Sequence, residues 1–308
     1  MTALRDIAWA KLNLTLEVLG RRADGFHELN SLVAFAGLGD TVELEPQDGE
    51  FRDALDLRIE GPFAAALDGA NLIIEAAETA KAQSPGLALG RFRLFKILPV
   101  AAGLGGGSAD AAAALRLIAR ANSGGLSEAA ASGLAERLGS DVTVCLTSEP
   151  AIITGRGETV TPVRGFPSCG VVLANPGLPL ATVDVYGALN APALSAPPRP
   201  SAPPDFAGDF DKLLEYATPR GNDLEPAAMR LVPEVGTVLA ALRTLDGARL
   251  ARLSGSGPTC FALFASPREA LRAATALAQC QPDWWIAAST LGDPKSAIPK
   301  SAIPKSKG

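Results

Sequence analysis

Residues 98–118 read LPVAAGLGGGSADAAAALRLI, and this stretch decides the fold. The alternating segment 91–98 predicts a strand that leads into it, and the Ala/Leu-rich run 109–121 predicts a helix after it. Glycines allow a ligand to approach the backbone because they carry no Cβ. The first N–H groups of a helix are unpaired and carry a partial positive charge. The loop Gly103–Ser108 is therefore predicted to bind phosphate; the alternative is a glycine-rich turn capped by Ser108.

Three common nucleotide-binding motifs do not fit this loop. In a dinucleotide fingerprint the last position would be Gly or Ala, whereas Ser108 stands there. A Walker A loop needs a Gly-Lys pair, which the sequence lacks. A protein kinase needs His-Arg-Asp, but the single histidine, His27, is followed by Glu28.

Composition excludes further classes of function. The 308 residues carry a net charge of -5, which disfavours a nucleic-acid partner. A single histidine excludes every site that needs two, such as H-E-x-x-H. Four cysteines without a C-x-x-C spacing are typical of reduced thiols in a cytoplasmic protein. Because residues 1–10 lack a signal-peptide pattern and no apolar run reaches a membrane span, we expect no membrane partner.

The remaining segments predict a mixed α+β protein with two lobes that join near 150–175. Predicted strands cover 7–19, 30–45, 142–147, the two arms of a strand–turn–strand unit in 250–264, and 284–290. Predicted helices cover 71–82, 127–138, 209–217, 226–243 and 267–279. The proline-dense stretch 190–207 predicts an exposed, stiff connection. The tail repeats Pro-Lys-Ser-Ala-Ile at 294–298 and 299–303, and we expect 291–308 to be disordered.

Three motifs together resemble the GHMP kinases. Pro99 and the glycine-rich loop together resemble the second motif of these kinases. The segment LSGSGPT at 253–259 resembles their C-terminal motif, and AKLNL at 10–14 resembles their N-terminal motif. The resemblance implies a two-lobed GHMP kinase fold. It implies a ribosomal-protein-S5-like N-terminal domain over 1–160, a ferredoxin-like C-terminal domain over 161–290, and an active site in the cleft between them.

The sequence resembles one branch of the GHMP kinases most closely. The segment 10–32, the Gly-Gly-Gly-Ser form of the loop, and the segments 139–142, 175–177 and 221–225 match that branch. The resemblance implies ATP-dependent phosphorylation of the 2-hydroxyl of a cytidine diphosphate-linked methylerythritol, in non-mevalonate isoprenoid biosynthesis. The alternatives are a homoserine or mevalonate type of kinase, or a catalytically inactive binding member. The sequence departs from the usual residues of the branch at Trp9, Phe26, Ala109 and Thr143.

The resemblance assigns Asp141 as the general base and Lys11 as its cationic partner. A half-buried lysine requires a carboxylate or phosphate partner, and a positioned base typically contributes about 10²–10⁴ in rate. The alternative is a structural ion pair. The resemblance also implies ATP and Mg²⁺ as cofactors, with ATP bound by Pro99 and the loop; the metal ligands stay unknown.

The remaining site residues would bind the substrate. By resemblance, Phe26 stacks on cytosine, His27 hydrogen-bonds its pairing edge, and Tyr186 is the opposing ring. Asn13 shares a strand face with Lys11 and is a candidate for the substrate alcohol, and Thr182 for the ribose or phosphate. The partner is thus a small molecule, and we expect a monomer or weak homodimer.

Overall fold

The computed structural model describes residues 3–46, 55–67, 69–123, 125–195, 202–292 and 294. Its strands are β1 Leu4–Asn13, β2 Glu17–Arg21, β3 His27–Pro46, β4 Leu55–Glu60, β5 Gly90–Phe95, β6 Ala151–Gly155, β7 Thr159–Pro162, β8 Cys169–Asn175, β9 Leu250–Leu253, β10 Cys260–Phe264 and β11 Trp285–Gly292. Its helices are α1 Leu72–Gln83, α2 Gly106–Ala121, α3 Glu128–Leu138, α4 Ser140–Thr147, α5 Thr182–Leu189, α6 Phe210–Ala217, α7 Glu225–Leu231, α8 Glu234–Arg243 and α9 Pro267–Cys280.

The long strand β3 organises the sheet. The hydrogen-bonded order is β4-β5-β3-β11-β8-β10-β9, and β1, β2 and β6 also pair with β3 at different points along it. Strand β1 lies antiparallel to β3, with Lys11 opposite Phe35 and Asn13 opposite Val33. The N-terminal and C-terminal parts of the chain therefore share one continuous sheet.

Helices cover the sheet in two groups with separate apolar cores. In the N-terminal part, α2 presents a run of small buried residues, Ala111–Ala114, that allows close packing on β1 and β3. In the C-terminal part, α8 and α9 pack against β8 and β10 around Phe264. A third core, around Leu12 and Phe261, lies between the two parts.

Three predicted elements were wrong in kind or extent. The single strand predicted over 7–19 is two strands, because β1 ends at Asn13 and β2 begins at Glu17. Residues 142–147 form part of helix α4 instead of a strand, and Asp141 lies at a helix–helix corner. Their β-branched residues favour a strand, but Val142 and Cys145 are three residues apart, lie on one face of the helix and are buried, and Val144 is buried as well. The predicted helix 226–243 is divided into α7 and α8 at Pro233, whose missing N–H interrupts the helical hydrogen bonds.

The other predicted helices, 71–82, 109–121, 127–138, 209–217 and 267–279, are confirmed to within a few residues. Residues 196–201 of the stretch 190–207 lie outside the described residues, as does nearly all of the tail 291–308. Within the described ranges, none of the helices combines the length and apolarity that a membrane crossing requires.

Candidate active site

One large cavity gathers most of the predicted site residues. It measures about 1150 Å³ and lies where the glycine-rich loop, the end of β1, the β2–β3 turn and the N-terminal part of α5 meet. The predicted residues in its lining are Lys11, Asn13, Phe26, His27, Pro99, Gly103, Gly105, Gly106, Gly107, Ser108, Asp141, Thr182 and Tyr186. Leu104 is the exception, because its side chain is buried in the core and only its backbone serves the loop.

The glycine-rich loop is held from two sides by backbone contacts. The Lys11 N–H donates to the Leu104 carbonyl at 2.9 Å, and the Thr259 N–H donates to the Ala102 carbonyl at 3.2 Å. The Ser254 hydroxyl donates to the Gly103 carbonyl at 2.8 Å. The second glycine-rich segment, 253–259, thus braces the first.

Two glycines of the loop are required by geometry. Gly103 has a φ of 73°, and a Cβ there would overlap the Ser254 carbonyl oxygen. Gly105, with a φ of 62°, precedes the first turn of α2, and a Cβ there would lie 3.3 Å from the Lys11 side chain. The loop therefore lies directly on Lys11, with the free N–H groups of α2 at its end.

Lys11 and Asp141 form an ion pair at the cavity wall. Lys11 Nζ donates to Asp141 Oδ1 at 2.8 Å, and the side chains are 4% and 35% exposed. Lys11 projects from β1 beneath the loop, and Asp141 projects from the first turn of α4. Asp141 thus keeps part of its carboxylate accessible to a ligand in the cavity.

A second lysine lies on the other side of the loop, in a sealed cluster. Lys96 Nζ donates to Asp40 Oδ2 at 2.7 Å and to Asp110 Oδ2 at 2.6 Å. Asp40 Oδ1 also accepts the N–H groups of Ile97 and Leu98, where the chain enters the loop.

The sealed cluster holds two carboxylates and one ammonium. Burial, and to a lesser degree the charge of Asp40, raise the pKa of Asp110 to about 7, although the Lys96 ammonium opposes the shift. Asp110 Oδ1 is buried without a hydrogen-bond partner. The same two carboxylates raise the pKa of Lys96 against the effect of burial.

Aromatic residues line another part of the cavity. The rings of His27 and Tyr186 lie 4.9 Å apart and are tilted by 33°. Phe26, 53% exposed, projects from the turn beside them. Burial lowers the pKa of His27, and the charge of Arg21 adds to this effect, so neutral imidazole is favoured, with one donor and one acceptor nitrogen.

Asn13 and Thr182 also line the cavity. Asn13 is buried, and its amide donates to the Ser31 hydroxyl at 2.8 Å. Thr182 begins α5, and its hydroxyl lies 2.8 Å from that of Ser256 in the second glycine-rich segment.

Several residues of the site were missed from the sequence. Lys96 belongs to no motif and lies near the end of the predicted strand 91–98. Asp40 and Asp110 gave no local signal, because their meeting with Lys96 depends on the pairing of β3 with β5 and on the placement of α2. Arg21 and Arg156, which also line the cavity, looked like ordinary charged turn residues.

Comparison with known proteins identifies the family. The family model for the GHMP kinases N terminal domain matches residues 71–149, and that for GHMP kinases C terminal matches 204–283. The chain is 48% identical to the 4-diphosphocytidyl-2-C-methyl-D-erythritol kinase of Methylobacterium radiotolerans, over 94% of this chain and 100% of the relative. It is 47% identical to the enzyme of the same name from Rhodopseudomonas palustris, over 94% of this chain and 97% of the relative.

A solved structure gives the same result. The crystal structure of a 4-(cytidine 5'-diphospho)-2C-methyl-D-erythritol kinase superposes with a TM-score of 0.72 at 34% identity, over 94% of this chain and 99% of that chain. The two-lobed α+β fold, with a cavity beside a glycine-rich loop, is the fold of a small-molecule kinase. The chain belongs to the GHMP kinases and, within them, to the family of 4-diphosphocytidyl-2-C-methyl-D-erythritol kinases.

Proposed function

We propose that the protein transfers the γ-phosphoryl group of ATP to the 2-hydroxyl of 4-diphosphocytidyl-2-C-methyl-D-erythritol, a step of non-mevalonate isoprenoid biosynthesis. One observation carries the proposal. A single cavity is lined by a glycine-rich loop before a helix, by the Lys11–Asp141 pair, and by the aromatic cluster of Phe26, His27 and Tyr186. These three parts suit a triphosphate, an alcohol and a nucleobase, in that order.

Asp141 acts as the general base in this proposal. Its exposed carboxylate oxygen accepts the proton of the 2-hydroxyl while the hydroxyl oxygen forms a bond to the γ-phosphorus and the bond to the departing ADP breaks. Lys11 orients Asp141 through the 2.8 Å contact and stabilises negative charge on the transferring group. Asn13 is placed to hydrogen-bond the substrate alcohol.

The loop binds the nucleotide phosphates. Gly103 and Gly105–Ser108 line the cavity without side chains larger than a hydroxymethyl group, and the N-terminus of α2 favours an anion there. Bound ATP with Mg²⁺ supplies the phosphoryl group and neutralises its developing charge. Pro99 and the loop thus form the proposed ATP site.

The residues present fit Mg²⁺ only as a partner of the nucleotide. Within the described ranges, no group of three or more His, Cys, Asp or Glu side chains is close enough to hold a metal. Mg²⁺ in such sites is usually bound by one or two protein oxygens together with phosphates and waters. The Ser108 hydroxyl, in the cavity lining at the start of α2, is the oxygen that we propose for this role.

The aromatic end selects the cytosine base. Phe26 and Tyr186 supply stacking faces, each worth about 1–3 kcal/mol in comparable sites. His27 supplies a hydrogen-bonding edge, and Thr182 a hydroxyl for the ribose or phosphate. We also propose the division into an ATP-binding part over 1–160 and a substrate-side part over 161–290, and a monomer or weak homodimer acting in the cytoplasm.

A competition assay tests the proposal. The protein is incubated with Mg²⁺, ATP and equal concentrations of 4-diphosphocytidyl-2-C-methyl-D-erythritol, homoserine and mevalonate, and the products are separated. We expect the cytidine conjugate alone to be phosphorylated, and a His27→Ala variant to raise its KM with little change in the KM for ATP. Preferential phosphorylation of homoserine or mevalonate would refute the proposal. If His27→Ala left the KM for the cytidine conjugate unchanged, the proposed contact between His27 and cytosine would be wrong.

A further inference from the structure

Two arginines in the cavity lining, Arg21 and Arg156, have no carboxylate partner among the described residues. The four Lys and Arg side chains in the lining are Lys11, Lys96, Arg21 and Arg156. Both lysines are held by aspartates at 2.6–2.8 Å. Arg21 and Arg156 form no ion pair with the described residues, so their charges face the cavity uncompensated.

Arg21 lies beside the predicted base-reading histidine. It ends β2 and stands directly opposite His27 in the antiparallel pairing with β3. Directly opposed residues of an antiparallel pair project from the same face of the sheet, with Cβ atoms about 4.5–5.5 Å apart. His27 contacts Tyr186 in the cavity, so Arg21 presents its guanidinium on the same face.

Arg156 approaches from another element. It lies in the turn between β6 and β7, and its guanidinium carbon is 4.8 Å from the centroid of the Phe26 ring. Phe26 and His27 are adjacent in sequence, so Arg21 and Arg156 each lie next to one member of this aromatic pair. Both cations thus stand at the end of the cavity where the cytidine is proposed to bind.

We infer that Arg21 and Arg156 bind the diphosphate of the cytidine diphosphate substrate; this inference rests on the proposed function. The diphosphate connects the base to the alcohol and brings negative charge into the cavity. Guanidinium groups present a planar fork that matches phosphate oxygens and remains charged at every physiological pH. The unpaired cations of the lining are therefore the counter-charges that this part of the substrate requires.

The comparison of CDP with cytidine tests the inference. Dissociation constants for both are measured by calorimetry with wild type, Arg21→Ala, Arg156→Ala and the double variant. We expect each single substitution to weaken CDP binding about tenfold, as for the loss of one charge-assisted hydrogen bond. Cytidine, which lacks the phosphates, is expected to bind every variant within about twofold of wild type, because the stacking rings are intact.

Matched variants separate charge from other effects. Arg164→Ala removes an exposed arginine outside the cavity lining and should leave both dissociation constants unchanged. Arg156→Lys keeps the charge without the fork and should recover part of the lost CDP affinity. The KM for ATP should stay the same in all of them.

Two results would overturn the inference. If cytidine loses as much affinity as CDP, the arginines act through the Phe26 ring and not on the diphosphate. If CDP binding does not change, they do not contact it. Failure of the proposed function can be told apart from failure of this inference. If the proposed function is wrong, the wild-type protein does not phosphorylate the cytidine conjugate, and this result does not depend on the variants.

Discussion

Two lysine–aspartate clusters flank the glycine-rich loop, and they differ in what surrounds them. In the open pair, Lys11 and Asp141, the aspartate side chain is 35% exposed. In the sealed triad, Lys96 with Asp40 and Asp110, no side chain is more than 4% exposed. The distances between nitrogen and oxygen are nearly equal, at 2.6–2.8 Å.

Because the distances are nearly equal, we expect the difference in exposure to decide which cluster has a chemical role and which a structural one. A partly exposed pair contributes little to stability but can exchange a proton with a ligand. A buried cluster exposes almost no side-chain surface to a ligand, and removing one member leaves uncompensated buried charge. The open pair is therefore expected to govern turnover, and the sealed triad to govern the stability and shape of the loop.

Lys96→Met should have the largest effect on stability. It leaves two buried carboxylates without their cation, and we expect the free energy of unfolding to fall by about 3–5 kcal/mol. Urea denaturation measures this change, with Lys212→Met, at an exposed position of α6, as the control. A loss below about 1 kcal/mol would mean that the triad is not a stabilising unit.

Lys11→Met should show the opposite pattern. Loss of the cation at the transferring group is expected to lower kcat about 10²–10³-fold. The unfolding free energy should change by no more than about 1 kcal/mol, because water can solvate the released Asp141 carboxylate. Steady-state kinetics and urea denaturation on the same preparation measure the two quantities. An equal loss of stability in Lys11→Met and Lys96→Met would remove the distinction.

Gly103→Ala tests how the loop between the clusters is held. The new Cβ would overlap the Ser254 carbonyl at a φ of 73°. Strain of about 1–3 kcal/mol is typical of such positions. We expect this strain to increase the KM for ATP and to change the KM for the cytidine conjugate less. Gly208→Ala is the control, since its φ is 75° with open space around the position. Similar kinetics in the two variants would show that close contact with segment 253–259 is unimportant.

The pH dependence of stability should reveal the sealed triad. Asp110 has its pKa raised from 3.8 to about 7, so the folded protein holds its proton more tightly than the unfolded chain does. Stability from this group is present below pH 3.8, declines as the pH rises, and is fully lost above about pH 7. The urea midpoint of the wild type should fall between pH 5 and pH 8, and Asp110→Asn should reduce this fall. The control variant Asp56→Asn, at an exposed position, should show the same fall as the wild type. A parallel decline in wild type and Asp110→Asn would contradict the assignment.

The sequence predicts well those elements of the fold that depend on a local residue pattern. The loop Gly103–Ser108 and helix α2 follow from glycine spacing and apolar periodicity. Strand β3 follows from its β-branched and apolar content, although it extends a few residues beyond the predicted 30–45. Short strands such as β7 were not predicted, because four residues carry too little periodicity.

What the sequence could not predict depends on tertiary packing. Residues 142–147 favour a strand locally, but the buried face of α4 against the N-terminal core decides for a helix. The triad requires three segments separated by 14 and 56 residues to meet. Lys11 and Asp141, 130 residues apart, were paired only through resemblance, and the structure places them in contact.

The most direct test of the account is the single-turnover rate of Asp141→Asn beside wild type, with saturating Mg²⁺, ATP and 4-diphosphocytidyl-2-C-methyl-D-erythritol. We expect the transfer rate to fall about 10²–10⁴-fold, the range for loss of a positioned base. The dissociation constants for both substrates and the urea midpoint should stay close to those of wild type. A variant that transfers the phosphoryl group at the wild-type rate would contradict the central claim that the open pair carries the reaction.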